Sequence, residues 1–184
     1  MDKRILKTKK ALKEAMLSLL NEKNFDRITA TEICERAIVS RNTFYSYYPD
    51  KYALLEECFS DYEDEFLRRF NLKQSGHPSS DMKENFLDLV ETFFETENLN
   101  RIVPILSNFD LMELYYRSTM NILKKYEEKY ADCINPAYDM EQLNSFLALG
   151  FWGFIHGNHK MNRDEIQSRT RTLMIDLLKC PIFR

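Results

Sequence analysis

The sequence predicts an all-α protein, and three observations carry that prediction. Apolar residues recur at helical spacing over long stretches, and helix-ending residues are sparse, with four glycines and five prolines in 184 residues. Composition excludes disorder, because 44% hydrophobic and 13% aromatic residues supply enough apolar surface for a core.

The first helix is expected from about Ile5 to Glu22, with Leu12, Ala15, Met16, Leu19 and Leu20 on one face. Lys3, Arg4, Lys7, Lys9, Lys10 and Lys13 crowd its start, where cations oppose the macrodipole. They form either a solvated face or a surface for a polyanion. Thr29, three residues before Glu32, spells a capping box for a short second helix, with Ile28 as its staple. "AIVS" interrupts the pattern, and Ser40 is a natural N-cap for a third helix from Arg41 to about Tyr47. Pro49 pushes Tyr48 out of the α region and ends it. Asp50 caps a longer helix, Lys51 to about Phe70, in which Leu54, Leu55, Cys58, Phe59, Tyr62, Phe66 and Phe70 keep helical spacing.

"NLKQSGHPSS", residues 71–80, clusters glycine, proline and serine and is predicted to be a loop between two parts of the chain. Asp81 with Glu84 opens a helix through Phe86, Leu89, Val90, Phe93 and Phe94. A shorter helix surrounds Ile102, Ile105 and Leu106, and Asp110 with Glu113 caps a long one to about Ile134, where "NPAY" breaks it. Two helices close the chain, roughly Met140 to Gly157 and Arg163 to Lys179, the second introduced by Asn162 with Glu165.

The net charge of −3 argues against a nucleic-acid binder until its distribution is seen. Residues 1–51 hold eleven Lys/Arg and seven Asp/Glu, whereas the rest holds fifteen and twenty-two, so a basic N-terminal module precedes an acidic body. The N-terminus lacks an apolar h-region and nowhere do eighteen apolar residues run together, so neither a signal peptide nor a membrane span is expected. Cys34, Cys58, Cys133 and Cys180 form no CxxC pair, which suits reduced thiols in a cytoplasmic protein.

Two short helices joined by a tight turn, inside a basic three-helix module, make a helix-turn-helix. Ile33, Ala37, Val39 and Phe44 fall where the two helices face each other, and Cys34 is small where they must approach. Phe44 and Tyr48 read as core. Arg41, Asn42, Thr43, Tyr45, Ser46 and Tyr47 are left outside it. Arginine can read guanine bidentately and asparagine adenine; a threonine methyl or tyrosine ring can touch a thymine methyl, and hydroxyls bind phosphates.

The run "TATEICERAIVSRNTFYSYYPDKYALL", Thr29 to Leu55, resembles the TetR/AcrR family of one-component bacterial transcription regulators, a likeness covering about residues 5–60. The resemblance implies a DNA-binding module over residues 1–51, a connecting helix at about 50–70, and a helical effector-binding and dimerisation body over 71–184. It implies base and backbone contacts to double-stranded DNA from Ser40, Arg41, Asn42, Thr43, Tyr45, Ser46 and Tyr47, further backbone contacts from Thr29 and Thr31, and a phosphate contact from Lys51. The expected function is that of a homodimeric repressor that binds a palindromic operator and responds to an effector. The alternative is an activator of the same fold that depends on a partner protein. Such turns usually carry glycine where this chain has Ile38; a β-branched residue at positive φ is an outlier, so the turn is expected to avoid that conformation.

For a small apolar or aromatic effector the candidates are Phe86, Val90, Phe93, Phe94, Ile105, Met112, Tyr115, Tyr116, Met120 and Phe146. Tyr115 and Tyr116 are consecutive, point about 100° apart, and cannot both face one pocket. Gly150, Gly153 and Gly157 repeat along one stripe, each costing about 1 kcal/mol relative to alanine inside a helix, which suggests close approach of another helix. The expected dimer interface therefore joins them to Leu173 and Leu177, with the glycine helix packed closely on the last helix and on its symmetry mate. His156 and His159 are spaced to share a metal, but nothing completes a ligand set, so no metal and no cofactor are expected. No GxSxG, P-loop, HExxH or dinucleotide fingerprint supports an enzyme.

Overall fold

A computed structural model describes residues 3–76, 82–95, 111–130, 137, 139–157 and 163–179. Among them the chain is helical with no strand. The elements are α1 (Lys3–Leu20), a 3-10 turn (Phe25–Arg27), α2 (Ala30–Ala37), α3 (Arg41–Tyr47), α4 (Lys51–Gly76), α5 (Met82–Glu95), α6 (Met112–Tyr130), α7 (Met140–Gly157) and α8 (Arg163–Leu177). The helix expected around Ile102 to Leu106, the caps expected at Asp81, Asp110 and Asn162, and the break expected at Asn135 and Pro136 lie outside the described residues. No helix among the described residues is long and apolar enough to cross a membrane.

The head assembles because α1 buries the face that its spacing predicts. Leu12, Ala15, Met16, Leu19 and Leu20 pack toward α2 and α4, against Ile33, Cys34, Phe44 and Leu54. Fully burying an aliphatic or aromatic side chain contributes about 1.5–3 kcal/mol, so these residues dominate the head's stability. The start of α2 carries the predicted capping box: the Thr29 hydroxyl accepts from the Glu32 amide at 3.3 Å, and the Glu32 carboxylate accepts from the Thr29 amide at 2.9 Å. Asp50 caps α4 by accepting from the Ala53 amide at 2.9 Å.

α4 continues six residues beyond its expected end, through a segment read from its composition as loop. Polar groups in that stretch find partners on α5: Gln74 Nε2 donates to Asp88 Oδ2 at 2.9 Å and Lys73 Nζ to Glu91 Oε2 at 2.9 Å. Those tertiary bonds hold the last turn in place despite its serine and glycine. At about 1.5 Å per residue, α4 is about 39 Å long. It packs against α1 near its start and against α5 and α6 further along, while α5 also meets α8 and α6 meets α7. Glu91 accepts a second bond from Arg171 at 2.8 Å, so α4, α5 and α8 share one carboxylate.

The turn between α2 and α3 does not avoid the left-handed region. Ile38 has φ 56° and ψ 46°, the only non-glycine residue with positive φ among those described. The expectation fails because the chain must reverse within two residues. The Val39 amide reaches back to the Cys34 carbonyl at 2.9 Å and the Ile38 amide to the Glu35 carbonyl at 3.2 Å, a pairing that requires a left-handed residue at this position. The reversal packs Val39 against the core and leaves Ile38 93% exposed, so no apolar burial offsets the strain.

Two of the α1 lysines neither stand in solvent nor wait for a polyanion. Lys9 Nζ donates to Glu57 Oε2 at 2.8 Å, and Lys13 donates to Glu57 Oε1 at 3.3 Å and pairs with Asp61, tying α1 to α4. Lys9 also sits 5.1 Å from the centroid of the Tyr48 ring. Partial burial pushes the Glu57 carboxyl up, but the bond from Lys9 and the charges on Lys13 and Lys9 hold it below its ordinary value. Glu32 is held at about 2 by its bond from Lys23 and those from Thr29.

Two predictions follow from the head. Replacing Ile38 by glycine removes a left-handed β-branched residue, and after glycine's extra unfolded-state entropy the protein should gain about 1 kcal/mol. A higher urea midpoint with an unchanged slope is the expected observation, and an unchanged or lower midpoint contradicts the strain. Acid should loosen the head. Glu32 and Glu57 are both depressed in the folded state, so their contribution is complete above the ordinary value of 4.5 and is lost as pH falls, through about 2 for Glu32. Urea midpoints measured between those pH values should decline, and less steeply in Glu32→Gln.

Candidate nucleic-acid interface and body cavity

α3 is a seven-residue helix with one residue committed inward. Phe44 is fully buried, and Ser40 caps the helix by accepting from the Thr43 amide at 3.1 Å. The Ser40 and Thr43 hydroxyls lie 2.8 Å apart, and Ser46 Oγ donates to the Thr43 carbonyl at 2.7 Å. Outward stand Arg41, Asn42, Tyr45 and Ser46, all exposed, with Thr43 half-buried. The Tyr45 ring meets Phe44 edge-on at 5.2 Å, so a buried anchor steadies an exposed aromatic. Tyr47 is half-buried and packs against the core, which separates it from the outward group. The distinction was not legible from residue type, since both tyrosines are amphipathic. Tyr48 is buried, and that burial, with the Glu57 carboxylate beside it, pushes its hydroxyl well above the ordinary range.

Around α3, Thr31 is exposed, and so is Thr29, whose hydroxyl already serves the α2 cap. Lys51 is half-buried, with Nζ turned toward the backbone of the 3-10 turn. Arg36, which no sequence signal singled out, donates to Ser18 Oγ at 2.8 Å and forks onto the Glu22 carboxylate, joining the ends of α1 and α2.

In the body an apolar cavity of about 40 Å³ lies between α4, α5, α6 and α7. Of the expected effector residues, Val90, Phe93 and Tyr115 line it. Phe86 is buried elsewhere, against Tyr126, while Met112, Tyr116 and Met120 lie off the cavity wall. Tyr116 instead pairs its hydroxyl with Ser145 Oγ at 2.7 Å, while the Tyr115 hydroxyl donates to the Ala148 carbonyl at 3.3 Å, so the two tyrosines diverge. The Phe94 side chain and Ile105 lie outside the described residues. Sequence reasoning missed Tyr62, Phe66, Leu89, Thr119, Ile122, Leu123 and Phe151 on the wall. Their i, i+4 and i, i+3 spacing on α4 and α6 was the available signal.

Phe146 does not reach that cavity. It is 67% exposed and lines an open groove between α7 and α8 with Gly150, Phe151, Phe154, Leu173 and Leu177. The three α7 glycines do not mark close packing on α8, as was expected: a methyl group added at Gly150, Gly153 or Gly157 would meet nothing within 4 Å in this chain. All three glycines are exposed, so the stripe faces outward. The His156 side chain and His159 lie outside the described residues.

The family model described as bacterial regulatory proteins, tetR family, matches residues 12–58, the span that forms the second half of α1, all of α2 and α3, and the start of α4. YxbF, an uncharacterized HTH-type transcriptional regulator of Bacillus subtilis (strain 168), is 42% identical over 53 residues, which is 29% of this chain and 14% of that protein. The chain thus matches only a small part of that relative's length. A TetR transcriptional regulator from Streptococcus agalactiae 2603V superposes with a TM-score of 0.63 at 24% identity, covering 94% of this chain and 96% of that one. A TetR family transcription regulator from Marinobacter aquaeolei VT8 superposes at 0.62 with 17% identity, covering 96% and 97%. At those identities the structural likeness shows the fold, extended over the body as well as the head. The head of the chain, residues 12–58, is thus similar to the DNA-binding part of the tetR family of bacterial regulatory proteins.

Proposed function

We propose that this chain is a non-enzymatic transcription regulator of the cytoplasm. It binds double-stranded DNA as a homodimer, each subunit setting α3 into the major groove of one half of a palindromic operator. The observation that carries the reading is the division of α3, with Phe44 locked into the core and Arg41 and Asn42 exposed on its first turn. Arg41 reads guanine, Asn42 adenine, and Tyr45 and Thr43 a thymine methyl, while Ser40 and Ser46 meet the sugar-phosphate backbone. Thr29 and Thr31, at the start of α2, supply further backbone contacts. The head of residues 1–51 is carried on α4, and the body beyond it senses and dimerises.

The dimer face is the α7–α8 groove. Phe146, Leu149 and Leu173 are large exposed apolar residues on one surface, and the open space above Gly150 and Gly153 admits a second copy's helix. The cavity between α4 and α7 is the effector site, in a closed state. Ligand pockets run to about 300–1,000 Å³, so a cavity of about 40 Å³ admits an apolar effector only if its walls separate. Tyr62 and Phe66 belong to α4, so that separation moves the helix bearing the head, alters the spacing of the two α3 helices, and releases the operator, the behaviour of a repressor.

Selection from a random DNA pool should return a palindrome whose half-sites are about one helical turn apart, bound with a steep salt dependence. Arg41→Ala should lose discrimination at one position per half-site, by about 1–3 kcal/mol. A pool without a consensus, or an unaltered consensus for the variant, removes the assignment of α3. Phe146→Asp should convert a dimer to a folded monomer in sedimentation; a dimer that persists places the interface elsewhere.

A further inference from the structure

Lys51 opens α4 directly behind Pro49 and Asp50, and family resemblance implies that it touches a DNA phosphate. Its ammonium is already occupied. Nζ donates to the carbonyl oxygens of Phe25 at 2.9 Å, Asp26 at 3.2 Å and Ile28 at 2.9 Å. An ammonium has three N–H donors and no acceptor, so three converging carbonyls complete its set. The charge also lies 4.4 Å from the centroid of the Phe25 ring and 5.6 Å from that of Tyr52, and those two rings meet edge-on at 5.0 Å. Phe25 and Ile28, whose carbonyls hold the cation, are each 1% exposed.

Phe25 and Asp26 belong to the 3-10 turn that leads into α2, and Ile28 is that turn's C-cap, one residue short of the Thr29 cap of α2. A phosphate contact would require Nζ to give up at least one of these carbonyls. We propose that Lys51 is a positioning residue: it locks the first turn of α4 to the turn preceding α2, and so sets the angle of α2 and α3 on α4 without touching DNA. A displacement of α4 is then passed to the reading head through a charged, directional joint. Arginine cannot replace it, because a planar fork does not direct three donors onto converging carbonyls.

This inference rests on the DNA-binding reading for its consequence but not for its geometry, and the experiment separates the two. Acetic anhydride applied in limiting amount to the DNA-free wild-type protein, with sites read by mass spectrometry, should modify Lys51 on the order of ten-fold more slowly than the exposed Lys3 and Lys7. Equal rates overturn the lock. Lys51→Arg and Lys51→Met are then titrated with operator DNA at several salt concentrations, with circular dichroism to establish that each is folded. A positioning role predicts that both bind on the order of ten-fold more weakly with the wild-type salt slope, and that amides of residues 25–30 exchange faster. Wild-type affinity in Lys51→Arg, with a slope reduced by about one in Lys51→Met, identifies a phosphate contact and overturns the proposal. If the wild type binds no DNA, the regulator reading falls while the labelling still decides the lock.

Discussion

The structure depends on one constraint: a single unbroken helix, α4, must bury its apolar face in both halves of the molecule. Leu54 and Leu55 lie in the head, packed with α1, and Phe66 and Phe70 lie in the body, packed with α5 and α6. A helix that is part of two cores cannot bend freely at the junction, because bending opens voids that close-packed interiors tolerate poorly. The polar contacts follow the same division. Glu57 and Asp61 hold α1 at one end, and Lys73 and Gln74 hold α5 at the other.

The head makes an opposite use of the same physics on a smaller scale. α3 is too short to be stable as an isolated helix, so its shape comes from its ends and its one buried ring. Ser40 satisfies an amide at its start, Tyr48 closes it against the core, and Phe44 fixes its rotation. Everything on the remaining face is left to solvent, where polar side chains carry no packing duty. The cost of bringing α3 back across α2 is concentrated at Ile38, whose left-handed backbone is what lets Val39 and Phe44 return to the core.

Much of this was legible along the chain because it is local. Helical spacing names the buried face of α1, Thr29 and Glu32 name the start of α2, and Asp50 names the start of α4. What was misread involves residues whose roles depend on distant neighbours. A segment rich in serine and glycine stays helical to Gly76 because Asp88 and Glu91 meet it. Lys9 and Lys13 look like a basic N-terminus until Glu57 and Asp61 are found beside them, 44 to 48 residues away. Glycines read as a close helix contact face open space.

The amino-acid order alone determined the fold class, the placement of most helices and the helix-turn-helix head, since period, caps and proline act within a few residues. Tertiary structure alone decided which tyrosine of α3 turns inward, which aromatics of the body share a cavity, and where the Lys51 ammonium goes. The physical reason is common to all three. A side chain that is equally content in water or in a core has no preference of its own, and its direction is set by the partners that packing brings within reach.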